Sequence, residues 1–236
     1  MQINGAVALV SGGNRGLGEQ FVQALLDRGV SKVYAAARNP DTITTPGVVR
    51  VALDVTDPAS VRAAADLAQD VTLLINNAGS STGAGLPDGD VDDFRLEMET
   101  HFFGTLAMSR AFAPALARNG GGAVLNVLSV LSWLAFPGAV AYTSAKSAAW
   151  SLTNALRVQL AEQKTLVTGL YVGYMDTDMA AHIDGPKSNP ATVAHAALDG
   201  VEAGRYEVLA DETTVNVRAA LSGDLTALYP QLAAAL

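Results

Sequence analysis

Ala6-Val7-Ala8-Leu9-Val10-Ser11-Gly12-Gly13-Asn14-Arg15-Gly16-Leu17-Gly18 is an apolar β-type run that breaks into glycines and reopens as a helical pattern. Glycines at 12, 16 and 18 let the backbone turn tightly and come close to a pyrophosphate. The helix expected over Gly16–Arg28 would offer its unpaired first-turn amides to the same anion. The spacing is G-x-x-x-G-x-G and not G-x-G-x-x-G, and by itself it also describes an ordinary strand-to-helix turn. The rest of the chain has to decide.

Short apolar runs alternate with helical patterns along most of the sequence, which implies parallel βαβ units. Strands are expected at Ala6–Val10, Lys32–Ala37, Val48–Leu53, Thr72–Ile75, Ala123–Leu128, Leu166–Tyr171 and Glu207–Leu209. Helices are expected at Gly16–Arg28, Pro58–Gln69, Asp92–Arg118, Ala141–Glu162 and Pro190–Ala203, with Pro58 and Pro190 in first turns where a missing amide costs little. With no linker or short-period repeat, residues 1–236 read as one α/β domain. Its architecture is a doubly wound parallel sheet of about seven strands, covered by helices on both faces. Ligands of such sheets gather at the carboxyl ends of the strands. The glycine turn, Asn76-Asn77-Ala78-Gly79, Ser129 and Gly173 all fall on that edge.

Composition removes several alternatives. Lys plus Arg (15) against Asp plus Glu (23) gives a net charge of −8, which argues against nucleic acid or an anionic membrane as partner. The absence of cysteine excludes disulfides, thiolate metal sites and a cysteine nucleophile, and an intracellular, cytoplasmic protein is the simplest reading. The apolar run before Ser11 is too short for a signal peptide, and Ala123–Tyr142 is interrupted by Asn126, Ser129, Ser132 and Pro137-Gly138, unlike a membrane helix. Asp88, Asp90, Asp92 and Asp93 precede a helix and read as N-terminal caps, and His182 and His195 lack ligand-spaced partners, so no metal site is expected.

Tyr142 and Lys146 stand four apart in Ala141-Tyr142-Thr143-Ser144-Ala145-Lys146, so on a helix they share a face. A fixed ammonium favours the phenolate and should draw the phenol, an acid of pKa about 10, toward the operating range. Ser129, thirteen positions upstream of the tyrosine, would hold a substrate oxygen. A lone Y-x-x-x-K more often decorates a helix, and the other motifs overturn that reading here.

Taken together and in order, Ser11-Gly12-x-x-x-Gly16-x-Gly18, Asn76-Asn77-Ala78-Gly79, Ser129 and Tyr142-x-x-x-Lys146 resemble the short-chain dehydrogenase/reductase family over most of the chain. The resemblance implies a single Rossmann domain, a nicotinamide cofactor, and hydride transfer between a carbonyl and an alcohol on a small molecule. It implies Ser129 as orienter of the substrate oxygen, Tyr142 as acid/base, and Lys146 as its electrostatic partner and a ribose ligand. It places Gly12, Asn14, Arg15, Gly16, Leu17, Gly18, Asn77, Ala78 and Gly79 around the cofactor, with Asp54 and Val55 bracketing the adenine. Family members often assemble as homodimers or homotetramers, and the apolar Leu225–Leu236 offers a surface for a neighbouring subunit.

The second strand ends Ala35-Ala36-Ala37-Arg38, without the acid that would hold a ribose 2′-hydroxyl. Arg38, helped by Arg15, would pair with a 2′-phosphate, which favours NADP(H). Two departures from the family pattern stand out. His101, in His101-Phe102-Phe103-Gly104, occupies the register of an asparagine that helps hold a proton-relay water; it could serve in that relay or simply pack. After the sixth strand a proline is lost, while Gly173 and Thr177 remain to meet the carboxamide or phosphates. Ser80, Leu131, Trp133, Phe136, Tyr174 and Met179 are candidates for a mostly apolar pocket, with Ala180–Asn189 as a short lid. The expected activity is NADPH-dependent reduction of a hydrophobic ketone or aldehyde. The alternatives are an NADP-linked alcohol dehydrogenase running oxidatively and a non-catalytic NADP(H) sensor; a sugar-nucleotide epimerase would need a larger C-terminal region.

Overall fold

The computed structural model describes residues 1–233. The β-branched and alanine-rich runs form strands β1 (Val7–Ser11), β2 (Lys32–Ala37), β3 (Val49–Ala52), β4 (Leu73–Asn76), β5 (Ala123–Val127), β6 (Leu166–Tyr171) and β7 (Glu207–Leu209). They make one seven-stranded sheet of order β3-β2-β1-β4-β5-β6-β7, parallel throughout. The order reverses between β1 and β4, which opens the crevice where this class of sheet binds ligands.

Successive residues of each strand serve opposite cores, as the period of two requires. Ala8 and Val10 of β1, Leu73 and Ile75 of β4, and Leu125 of β5 point to one face. There they meet Phe21 and Leu25 of α1 (Gly16–Asp27) and Val193 and Leu198 of α6 (Pro190–Glu202). Leu9, Leu74 and Val124 point the other way. They meet Val61 of α2 (Pro58–Leu67), Met108 and Phe112 of α4 (Gly104–Arg118), and Leu152 and Leu156 of α5 (Val140–Gln159). Each such Val, Leu, Ile, Phe or Met side chain, fully buried, contributes roughly 1.5–3 kcal/mol, so both helical layers are fixed by the alternation itself. Asp57 and Asn189 cap the helices that Pro58 and Pro190 begin, and Asp90 caps α3 (Val91–Met98).

The single helix expected over Asp92–Arg118 is broken. Between α3 and α4 lies a π-helical turn, Glu99–Phe103. Glu97 and His101, on either side of its start, are both buried. A Cβ on Gly104 would come 2.9 Å from Val55 Cγ2, so the chain after the turn presses directly on the loop that follows β3. Extra residues in one turn often mark a functional site, and this one carries His101. The C-terminal region forms short helices that the sequence pattern did not disclose: α7 (Glu212–Ala220), α8 (Leu225–Leu228) and α9 (Pro230–Ala233). The described part of the apolar terminus folds back on its own chain, where the Tyr229 hydroxyl accepts from the Ala135 amide at 2.8 Å; residues 234–236 lie outside the described residues.

Candidate active site

The glycine turn is built as a cradle. A Cβ on Gly18 would lie 1.9 Å from the Gly12 carbonyl oxygen, and Gly12 itself sits at φ +67 against Ala78. The Ser11 hydroxyl accepts from the Asn77 and Ala78 amides, each at 3.0 Å, and so ties the end of β1 to the end of β4. The Asn77 side chain donates to the Ser11 and Gly12 carbonyls at 2.9 and 3.2 Å. Asn77 therefore holds the loop with its amide group. Leu17 packs into the core beneath, and Asn14 donates to Thr42 at 3.1 Å.

The cradle fits a phosphate-bearing dinucleotide. Helices α2, α3, α6 and α7 receive side-chain caps from Asp57, Asp90, Asn189 and Asp211, whereas Arg15 gives α1 none. The first-turn amides of α1 are thereby left for an anion. Arg15 lies 3.5 Å from Asp178, with both side chains well exposed. Arg38 is exposed at the end of β2. The Thr56 hydroxyl and amide, with a smaller contribution from Arg38, hold the Asp54 carboxyl below its ordinary range. Val55 packs at the edge of the neighbouring core.

Across the cleft, Thr177 lies over the cradle, for a Cβ on Gly16 would come 3.4 Å from its Cγ2. The loop that lost its proline is pinned another way: the Gly173 amide donates to Asp211 Oδ2 at 2.6 Å. Further along, Asp176 donates to the Ser188 carbonyl at 3.0 Å and Ser188 to that of Tyr174 at 2.8 Å, closing the base of the short lid.

Ser129 follows β5 and caps the one-turn helix Val130–Ser132, its oxygen accepting from the Leu131 amide at 3.1 Å. Its own proton has only a 3.4 Å contact with the Val172 carbonyl, so it is readily redirected to another oxygen. Lys146 and Tyr142 share the inner face of α5. The Lys146 ammonium donates to the Val127 carbonyl at 2.8 Å and sits 5.5 Å from the Tyr142 ring centroid. Here one expectation is corrected. Burial pushes the Tyr142 phenol up, the Glu97 charge adds to this, and the Ser129 hydroxyl draws it only partway back. Burial also brings Lys146 down to about 8. Desolvation outweighs the fixed cation, for Lys146 is buried and Tyr142 half-buried.

His101 is buried, with its ring edge-on to Tyr142 at 5.2 Å between centroids. Its neighbour Glu97, overlooked in the sequence, is fully enclosed at 0% exposure and lies 3.1 Å from His101 Nε2. The signal available was the spacing of four between two chemistry-bearing residues, Glu97 and His101. Of the pocket candidates, Phe136, Tyr174 and Met179 are exposed. Phe136 lines a groove of about 360 Å³ with Leu86, Val140 and Tyr229. Ser80 turns its hydroxyl toward Glu97 at 3.0 Å, and Leu131 is half-buried. Trp133 is not a pocket wall: it stacks on Tyr171 at 4.0 Å inside a third core with Leu128 and Ala149. Among the described residues, no helix is long and apolar enough to cross a membrane, and no cluster of three acidic or histidine side chains could hold a metal.

Residues 6–187 match the family model described as short chain dehydrogenase. An oxidoreductase of Botryotinia fuckeliana is 34% identical over 182 residues, 72% of this chain and 66% of that protein. An NADPH-dependent 1-acyldihydroxyacetone phosphate reductase of Schizosaccharomyces pombe is 34% identical over 154 residues, 62% of this chain and 52% of that protein. The chain thus spans between about half and two thirds of the length of these curated relatives. A short-chain dehydrogenase of Burkholderia cenocepacia, solved in complex with NADP, superposes with a TM-score of 0.94 at 40% identity, over 98% of this chain and 99% of that one.

Proposed function

This chain belongs to the short-chain dehydrogenase family, and we propose that it is an NADPH-dependent reductase of a hydrophobic ketone or aldehyde. The supporting observation is the Tyr142 phenol held on α5 with the Lys146 ammonium 5.5 Å from its ring centroid and the Ser129 hydroxyl beside it at the cradle's edge. A group that must give up a proton has to hold one at the start, which suits the reducing direction. Bound reduced nicotinamide supplies the hydride. Ser129 orients the carbonyl oxygen, and Tyr142 delivers its phenolic proton to that oxygen. Lys146, against the ring, stabilises the phenolate that remains. The turn at Gly12, Gly16 and Gly18, with the uncapped start of α1, would hold the pyrophosphate. Arg38 and Arg15 would pair with the 2′-phosphate, Asp54 and Val55 would flank the adenine, and Ala78, Gly79, Gly173 and Thr177 would line the nicotinamide half. In the same reading the enzyme works in the cytoplasm as a homodimer or homotetramer.

The test follows loss of NADPH and NADH absorbance against a panel of aryl ketones, aliphatic ketones and aldehydes. NADPH should be preferred, Tyr142→Phe should abolish turnover while retaining NADPH binding, and Arg38→Asp should cut the NADPH preference at least about tenfold, ~1.4 kcal/mol. Equal kcat/KM for the two cofactors in the unaltered enzyme would refute the cofactor assignment. Tight NADPH binding without turnover on any of the panel would favour a sensor instead.

A further inference from the structure

The last turn of α3 carries a carboxylate that the chemistry above does not use. Glu97 is at 0% exposure, and an ionised group so enclosed persists only where donors surround it. Three do. Its Oε1 accepts from the Thr82 amide at 2.6 Å, and its Oε2 from the Ser80 hydroxyl at 3.0 Å and from His101 Nε2 at 3.1 Å. Burial works against this carboxylate, yet the hydrogen bond and charge of His101, with the Thr82 and Ser80 hydrogen bonds, hold it below its ordinary range. The imidazole is also held below its ordinary range, first by burial and then by the Lys146 charge, which together exceed the pull of Glu97. Both shifts run toward the deprotonated forms, a carboxylate beside a neutral imidazole.

The geometry then selects the tautomer. Nε2 of His101 faces two acceptors, Glu97 Oε2 at 3.1 Å and the Ser80 carbonyl at 3.0 Å, while the Ser80 amide approaches it only at 3.4 Å. Two close acceptors outweigh one distant donor, so the proton sits on Nε2. Nδ1 has no hydrogen-bond partner among the described residues. It is the basic nitrogen of a ring that contacts Tyr142 and feels Lys146. Bare Gly79 makes room for it: a Cβ there would be 2.9 Å from His101 Cε1. The titratable groups acting on this ring are Glu97 from α3 and Lys146 and Tyr142 from α5.

We propose that Glu97 is a positioning residue for catalysis, which fixes His101 as its Nε2–H tautomer so that Nδ1 can carry a proton to Tyr142. The inference rests on the reductase reading above. Once Tyr142 has given its proton to the substrate oxygen, the phenolate must recover one from solvent. Nδ1 takes that proton from a solvent acid, hydronium or buffer, through water, the resulting imidazolium is stabilised by Glu97, and Nδ1 then returns the proton to the phenolate. Each turnover thus draws one proton from solvent, the one that ends on the substrate oxygen. A carboxylate orienting an imidazole for proton transfer is a known chemical device.

The experiment is a 15N spectrum of the histidines in the NADP-loaded protein, assigned by difference from His101→Asn, followed by kinetics of Glu97→Gln. The expected spectrum has His101 neutral and protonated at Nε2; an Nδ1–H tautomer would overturn the proposal without any variant needing to fold. In Glu97→Gln the Thr82 amide retains the side-chain oxygen, so the new NH2 faces His101 and turns it to the Nδ1–H form. The kcat should fall at least about tenfold, with KM and NADPH affinity within about twofold and an altered pH profile. Adding His101→Asn to that variant should cost little more, because the two residues act as one unit. An unchanged kcat and pH profile in Glu97→Gln with the tautomer switched would refute the role. Persistent turnover in Tyr142→Phe would instead defeat Tyr142 as the proton donor, and absence of turnover in the unaltered enzyme would defeat the reductase reading, each leaving the tautomer result intact.

Discussion

Gly18→Ala adds a single methyl group where the cradle has no room for it. The new Cβ would stand 1.9 Å from the Gly12 oxygen, 2.7 Å from the Gly12 carbonyl carbon and 2.6 Å from Asn77 Nδ2. Relaxed contacts are about 3.5 Å, so the turn has to retreat by roughly 1.5 Å. That displacement breaks the Asn77 bonds to Ser11 and Gly12, now 2.9 and 3.2 Å. The two bonds contribute about 1 kcal/mol each, and overpacking costs a further ~1–3 kcal/mol. Alanine's better helix propensity returns ~1 kcal/mol, leaving a net loss of roughly 2–4 kcal/mol. For a chain of this size Tm should fall by roughly 5–15 °C. The turn that receives the pyrophosphate moves as well, so NADPH binding should weaken about a hundredfold, ~3 kcal/mol. Thermal unfolding without cofactor and a fluorescence titration with NADPH read the two effects separately. A variant that unfolds within about 1 °C of the parent and binds NADPH within about twofold would show that the loop is not held as argued.

The buried Lys146 gives a signed pH dependence. Its folded pKa of about 8 lies below the ordinary 10.5, so between those values the unfolded chain binds a proton that the folded chain does not. Stability should therefore rise with pH across that window, by on the order of 3 kcal/mol, relative to Lys146→Met; parallel urea midpoints of the two proteins from pH 8 upward would contradict it. Asp211 stands in for the missing proline by holding the Gly173 amide at 2.6 Å and also caps α7 through Thr214. Asp211→Ala should cost about 1–2 kcal/mol of stability and raise the NADPH Kd several-fold, whereas loss of stability with unchanged affinity would confine it to capping.

The sheet was legible because its evidence is local and repeated. Lys32–Ala37, Leu166–Tyr171 and Glu207–Leu209 occupy their expected residues, and the other strands differ by a residue or two at their ends. Short continuous apolar runs set between helical patterns read as strands buried on both faces, and that requirement survives every detail of packing. The break in the long helix was not legible in the same way. Asp92–Arg118 has an acceptable helical pattern throughout, and nothing in its periodicity marks the extra residue at Glu99–Phe103. That insertion answers to what lies against it, including the contact of Gly104 with Val55. The terminal helices escaped for a further reason: α8 and α9 span four residues each and carry too little pattern to register.

The same division runs through the site. Residue types at fixed spacings pointed to Ser129, Tyr142, Lys146 and the glycine turn as candidates, since such chemistry demands those atoms whatever surrounds them. The direction of the Tyr142 shift was misjudged because it depends on enclosure and on a charge 45 positions away, at Glu97. Spacing alone set a cation beside a phenol and implied an easy phenolate. Enclosure reverses the order: the phenol keeps its proton and the amine is the group brought toward neutral pH. In the proposed reduction such a site would act as a stored acid, discharged when negative charge forms on a substrate oxygen next to Ser129. Recharging it would then call for a base with one nitrogen free, the condition that Glu97 is proposed to impose on His101, whose Nε2 lies 3.1 Å from Glu97 Oε2 and 3.0 Å from the Ser80 carbonyl.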